Sequence, residues 1–107
     1  MIELRHLTYF RTVAETLHFG RAAELLHISQ PPLTRQIAAL ERELGAQLFD
    51  RSKRAIQLTS AGKYFYRDTT EIFKALERAK RNAASSSTGQ SGALKVCLLY
   101  TSPSPRD

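Results

Sequence analysis

Apolar residues between Leu4 and Leu17 recur every three or four positions, at Leu4, Leu7, Phe10, Val13, Ala14 and Leu17. That period puts them on one stripe of an amphipathic helix. Phe19-Gly20 interrupts the pattern, and Arg21 to His27 predicts a short second helix in which Ala22, Ala23 and Leu26 permit close packing against neighbours. Ile28-Ser29-Gln30-Pro31-Pro32 then breaks the chain. Ser29 is placed to cap a third helix, and the two prolines fall in its first turn, where a missing N–H costs little. Leu33, Ile37, Leu40 and Leu44 give that helix one buried stripe, and Gly45 ends it.

Beyond Gly45 the period shortens. Gln47 to Arg51 and Ala55 to Leu58 predict two short strands around the polar turn Ser52-Lys53-Arg54, a hairpin with a basic tip. Thr59 can cap a long fourth helix to about Ala84, because no Pro interrupts it and its one glycine, Gly62, lies in the first turn. Along it Phe65, Thr69, Ile72, Leu76, Ala79 and Ala83 alternate spacings of four and three, the seam of a coiled coil softened by one Thr and two Ala. Arg67, Lys74 and Arg81 repeat every seven residues on its other side. Ala84 to Gly92 has the composition of a flexible linker, and Ala93 to Tyr100 predicts a strand that begins a second domain.

The expected fold is mainly α: a winged helix-turn-helix with a three-helix core and a two-stranded wing, followed by a long dimerisation or linker helix. The division is 1–59 for the head, with the helix-turn-helix at about 19–38, then 60–85 for the linker helix and 86–107 for hinge, strand and tail.

Composition narrows the chemistry. The chain has 107 residues, with 16 Lys and Arg against 10 Asp and Glu, a formal charge of +6. A chain this short forms one domain and a tail, and its positive balance favours polyanionic partners. Residues 1–60 hold eight basic and six acidic side chains, so any case for DNA rests on where the cations sit. The single Cys97 allows neither an intrachain disulfide nor a multi-cysteine metal site. The polar start lacks a secretory pattern and no apolar run reaches a membrane span, so the expected location is cytoplasmic, with no membrane partner.

A helix, a short turn and a second helix with a polar leading end place that second helix in the DNA major groove. Gln30 can pair with adenine N6 and N7, Thr34 with a base edge or phosphate, Arg35 with guanine O6 and N7 or a phosphate, and the Pro31 ring can sit against a thymine methyl. Ser29 stands at the same positive helix start, which favours a phosphate. On the wing, Arg51, Lys53 and Arg54 can hold backbone phosphates or enter a narrow minor groove. For a generic helix these side chains would simply finish a cap or face water. Turn, cap, polar leading face and basic wing occurring together favour DNA.

The stretch from Leu4 to about Phe65 resembles the N-terminal part of LysR-type transcriptional regulators, through AAELLHISQPPLTRQI, the LFDR of the wing and the LTSAG that opens the fourth helix. The resemblance implies base or phosphate contacts from Gln30, Pro31, Thr34 and Arg35 and wing contacts from Arg51 and Arg54. It also implies a homodimer paired through the linker helix, forming higher oligomers in the full-length protein. Such a dimer binds an interrupted inverted repeat with T at one end and A at the other. Pro32 stands where many members have Ala, and Gly20 where many have a capping Thr or Ser. A full-length member carries a two-lobed effector domain, and the subgroup pattern implies an aromatic acid or small carboxylate as effector; no cofactor is expected in the present chain. From Cys97 the likeness ends, and the tail resembles a translated sequencing adapter, which implies a truncated or chimeric reading frame.

An enzyme finds little support. His6, His18 and His27 are scattered over helical segments, with His18 and His27 at helix ends, Glu41 and Glu43 do not face each other, and neither a phosphate loop nor a metalloprotease spacing occurs, so no catalytic or metal residue is expected. The alternative to a regulator is a winged-helix protein-interaction module, or a fragment that binds DNA without sequence preference.

Overall fold

A computed structural model describes residues 1–87, and the predicted linker beyond Ser87, the strand at 93–100 and the tail lie outside the described residues. Four helices and one small sheet follow in order: α1 (Leu4–Thr16), α2 (Phe19–Leu26), α3 (Gln30–Leu44), β1 (Phe49–Asp50), β2 (Gln57–Leu58) and α4 (Ser60–Ser87). The strands are antiparallel, with Phe49 opposite Leu58 and Asp50 opposite Gln57. The paired part of the wing is thus shorter than the sequence suggests, because its basic tip from Arg51 to Ala55 is irregular. Within the described residues the chain divides into two units, one of Met1–Glu71 and one that begins at Ile72.

The core belongs to the first unit. Phe10, Val13, Ala22, Leu33, Ile37, Leu40, Leu48 and Phe49 are buried there. Phe10 is its hub, with ring centroids 5.5 Å from Phe49 and 5.0 Å from Phe65. Phe19 adds an edge contact to Phe49 at 5.9 Å. Ala22 and Ala23 of α2, the small residues expected to pack against neighbours, are buried.

The helix ends differ from expectation in two places. Phe19 and Gly20 belong to α2 instead of preceding it, because His18 is the N-cap: the Arg21 N–H donates to His18 Nδ1 at 3.0 Å. This leaves Gly20 inside the first turn, so a Thr or Ser cap at that position is not needed. Ser29 occupies the N-cap of α3, but its side chain makes no capping bond. A capping hydroxyl accepts from the second or third N–H of the helix. Here those positions are Pro31 and Pro32, which have none, so the Ser29 hydroxyl is left exposed.

Short turns join the three helices through residues in the left-handed region, Leu17 at φ 52° and His27 at φ 61°, and Gly45 closes α3 at φ 72°. The expected apolar stripe of α3 also needs correction at its end. Leu44 is 36% exposed, while Glu41 is 6% exposed. By angle position 44 lies about 20° from Ile37 and position 41 about 40°, so the difference lies along the helix axis: Leu44 is the last residue of α3, whereas Glu41 is bonded to the Leu48 and Phe49 backbone that follows the turn at Gly45.

Candidate nucleic-acid interface

Ser29, Gln30, Pro31, Thr34 and Arg35 are all exposed at the leading end of α3. Gln30 and Thr34 are four residues apart and share one helix face. With Pro31 and Arg35 they line an open surface depression. Among the described residues, no side-chain hydrogen bond engages Gln30, Thr34 or Arg35. The same helix is anchored by Leu33, Ile37 and Leu40, so the exposed groups stand on a rigid support. An ideal Cβ on Gly20 would lie 3.1 Å from His18 Cε1 and 3.4 Å from Gln30 Oε1, which places the α2 start beside the proposed reading side chain.

The wing separates its three cations. Lys53 and Arg54 are exposed at the tip. Arg51 is drawn inward: its Nη1 lies 3.5 Å from Glu41 Oε1, and its guanidinium sits 5.3 Å from the Phe19 ring centre and 6.0 Å from that of Phe49. Its side chain keeps 37% exposure. At the turn, Asp50 Oδ1 accepts from the Ser52 hydroxyl at 2.6 Å and from the Ser52 N–H at 2.9 Å. Those two bonds, with the nearby Lys53 charge, hold the Asp50 carboxyl below the ordinary carboxylate range, against a small desolvation effect.

Behind the wing, α4 begins in close contact with the chain that precedes β1. Thr59 donates through its hydroxyl to Gln47 O at 2.6 Å and accepts from the Gly62 N–H at 3.0 Å, as a cap should. The Thr59 N–H donates to Leu48 O at 3.0 Å. A methyl group on Gly62 would overlap the Leu48 carbonyl oxygen and crowd Leu58, so only glycine fits this approach.

The expected dimer seam splits. Phe65 packs against the core, and Thr69 is fully buried within its own chain. Thr69 lies under a polar cluster that ties α4 to α1. Arg11 Nη1 donates to Thr70 Oγ1 at 2.7 Å, Thr69 Oγ1 at 3.0 Å and Tyr66 O at 3.2 Å, and the guanidinium stacks 4.2 Å from the Tyr66 ring centre. The Tyr66 hydroxyl donates to Glu15 Oε2 at 2.7 Å, which raises the phenol above its ordinary range, with desolvation adding to the effect. Phe65 and Thr69 thus make intrachain contacts, the first with the core and the second with Arg11. In the second unit Ile72 is 42% exposed, Leu76 is half-buried, and Ala79 and Ala83 are exposed.

Sequence reasoning missed Glu41, Arg11 and the packing role of Gly62. A signal existed for Glu41, since it continues the apolar stripe four residues after Ile37. None existed for the contacts of Arg11 with α4, which lie 55 to 59 residues away, whereas its ion pair with Glu15, four residues on at 3.5 Å, is local. Among the described residues no cluster of His, Cys, Asp and Glu could hold a metal, and no helix is long and apolar enough to cross a membrane.

Three packed helices, a turn between the second and third, and a small wing define the winged helix-turn-helix class. Residues 4–63 match the family model described as "Bacterial regulatory helix-turn-helix protein, lysR family", and the chain belongs to that family. It is 50% identical over 100 residues to the HTH-type transcriptional regulator TfdT of Cupriavidus pinatubonensis (strain JMP 134 / LMG 1197), covering 94% of this chain and 44% of that protein. It is 49% identical to the uncharacterized HTH-type transcriptional regulator YnfL of Escherichia coli (strain K12), covering 95% of this chain and 34% of that protein. The chain thus spans less than half the length of these relatives. Among solved structures, the BenM_DBD/benA site 1 DNA complex is similar at TM-score 0.79 and 40% identity, over 82% of this chain and 99% of that one. The CbnR_DBD-DNA complex is similar at TM-score 0.76 and 43% identity, over 80% and 99%. The chain contains a LysR-type regulator DNA-binding domain.

Proposed function

We propose that this chain is the DNA-reading part of a cytoplasmic bacterial transcription regulator, binding as a homodimer to an interrupted inverted repeat. The observation that carries the reading is the group of exposed polar side chains, Gln30, Thr34 and Arg35, on the buried support of α3. Gln30 and Arg35 have the donor and acceptor sets for adenine and guanine edges, Pro31 offers an apolar contact to thymine, and Ser29 offers a hydroxyl to phosphate. Lys53 and Arg54 take backbone phosphates beside the half-site, with the outer side of Arg51 next to them. The DNA complexes of BenM and CbnR support the same use of this fold.

Dimerisation runs mainly through Ile72, Leu76, Ala79 and Ala83, which keep the four-three-four spacing of the seam beyond the intrachain contacts of Phe65 and Thr69. Two heads then read half-sites about one turn of DNA apart, or a multiple of it. In the full-length protein, higher oligomers form and an aromatic acid or small carboxylate acts as effector.

Gel-shift titration tests the reading. DNA from the promoter next to the gene binds more tightly than random DNA of equal length, and equal affinity for both would remove sequence-specific regulation. Leu76→Lys gives the monomer mass in light scattering, whereas an intact dimer would place the interface elsewhere.

A further inference from the structure

Glu41 is a buried acid for which a reading of α3 as a DNA-binding helix has no use. Its side chain is 7% exposed. One carboxylate oxygen, Oε2, accepts from the Leu48 N–H at 2.8 Å and the Phe49 N–H at 3.3 Å. The other, Oε1, faces Arg51 Nη1 at 3.5 Å. Leu48 and Phe49 lead into and begin the first strand of the wing, and Arg51 follows its last residue. A single carboxylate on the helix that presents Gln30 and Thr34 thus grips the wing root at three points. The Arg51 guanidinium is also held beside the Phe19 and Phe49 rings, so α2, α3 and β1 meet around it.

We infer that Glu41, acting through Arg51, is a positioning residue that fixes the basic wing tip relative to the DNA-reading end of α3. Arg51 is then mainly a brace, and Lys53 and Arg54 are the cations it places. The inference rests on the DNA-binding reading above. It makes a prediction opposite to simple charge. Removing an acid from a DNA-binding head should raise affinity for a polyanion. Here it lowers affinity, because the wing loses its phosphates.

The test compares the full chain with Glu41→Gln and with the double variant Lys53→Gln/Arg54→Gln, titrating promoter DNA over a range of salt concentrations. Each phosphate contact contributes about 0.9 to the slope of log affinity against log salt. Glu41→Gln is expected to reduce that slope by roughly 1 to 2, about as much as the double variant does. Adding it to the double variant should reduce the slope no further, while base preference within the half-site stays unchanged. A purely structural role would lower the melting temperature and leave the slope alone, and that result overturns the proposal, as does a rise in affinity. If the double variant also keeps the full slope, the wing does not touch phosphate and both readings of the wing fail together. Equal binding of promoter and random DNA by the wild type would instead remove the sequence-specific reading. Should Glu41→Gln not fold, Arg51→Met serves: a slope loss clearly above the roughly 0.9 of one contact supports the brace, and a smaller one makes Arg51 an ordinary phosphate contact.

Discussion

At the leading end of α3, Gln30, Pro31, Thr34 and Arg35 stand exposed, whereas about three turns further on Glu41 lies buried with three hydrogen-bond partners. One helix therefore contains polar groups of two kinds. Those at its start have their hydrogen-bonding capacity turned outward, where a base or a phosphate can meet it. The one near its end has that capacity spent inside, where an unpaired charge would be costly. The difference teaches that residue type alone does not mark a functional site on this fold. What separates reading from holding is whether the protein's own backbone already supplies the partner.

Substitutions at the two ends should therefore fail in different ways. Glu41→Ala leaves the Leu48 and Phe49 N–H groups and the Arg51 charge without their acceptor, and should cost about 3–5 kcal/mol in urea unfolding. Thr34→Ala, at the other end, should shift stability by no more than about 0.5 kcal/mol. Similar losses from both would erase the distinction. Gly62→Ala comes next, because its methyl group must push against the Leu48 carbonyl at the same wing root; a loss of roughly 1–3 kcal/mol in thermal unfolding is expected. A neutral result would mean that α4 can shift away without disturbing the root that Glu41 holds.

The smallest effect lies away from α3, in the Tyr66 hydroxyl bonded to Glu15. Its phenol is raised above the ordinary value of 10.0, so the stabilisation is complete below that pH and disappears as pH rises through the higher folded value. Tyr66→Phe should flatten this alkaline limb of stability while leaving both ends of α3 unaffected. An unchanged limb in the variant would assign it to another group.

Much of this arrangement is legible in the sequence because it rests on local rules. The inner parts of the stripes of α1 and α3, whose end residues Leu4, Leu17 and Leu44 are exposed, the stop at Gly45 and the cap at Thr59 each follow from residues within a turn or two of the element they shape. The exposed reading face is legible for the same reason, since it is what remains of α3 once Leu33, Ile37 and Leu40 are turned inward. Ser29 shows how a local rule can be right in position and wrong in chemistry: the cap site is there, but Pro31 and Pro32 remove the donors it would bind. The heptad spacing at Phe65 and Thr69 is ambiguous in principle, because a stripe of that period can pack on a second copy or on the chain's own core. Only the distant Arg11 decides for Thr69, and no spacing announces that contact. Glu41 lay between these cases, in register with the apolar stripe but with its partners on a strand not yet placed.

The most direct test of the central claim is a parallel selection from a randomised DNA pool with the wild-type chain and with Gln30→Ala. The wild type should enrich an interrupted inverted repeat. The variant should enrich the same repeat with preference relaxed at one position of each half-site, a loss of about 1–3 kcal/mol of discrimination there. A pool that stays random with the wild type, or a variant whose selected sites match the wild type at every position, would contradict the claim that the leading end of α3 reads bases.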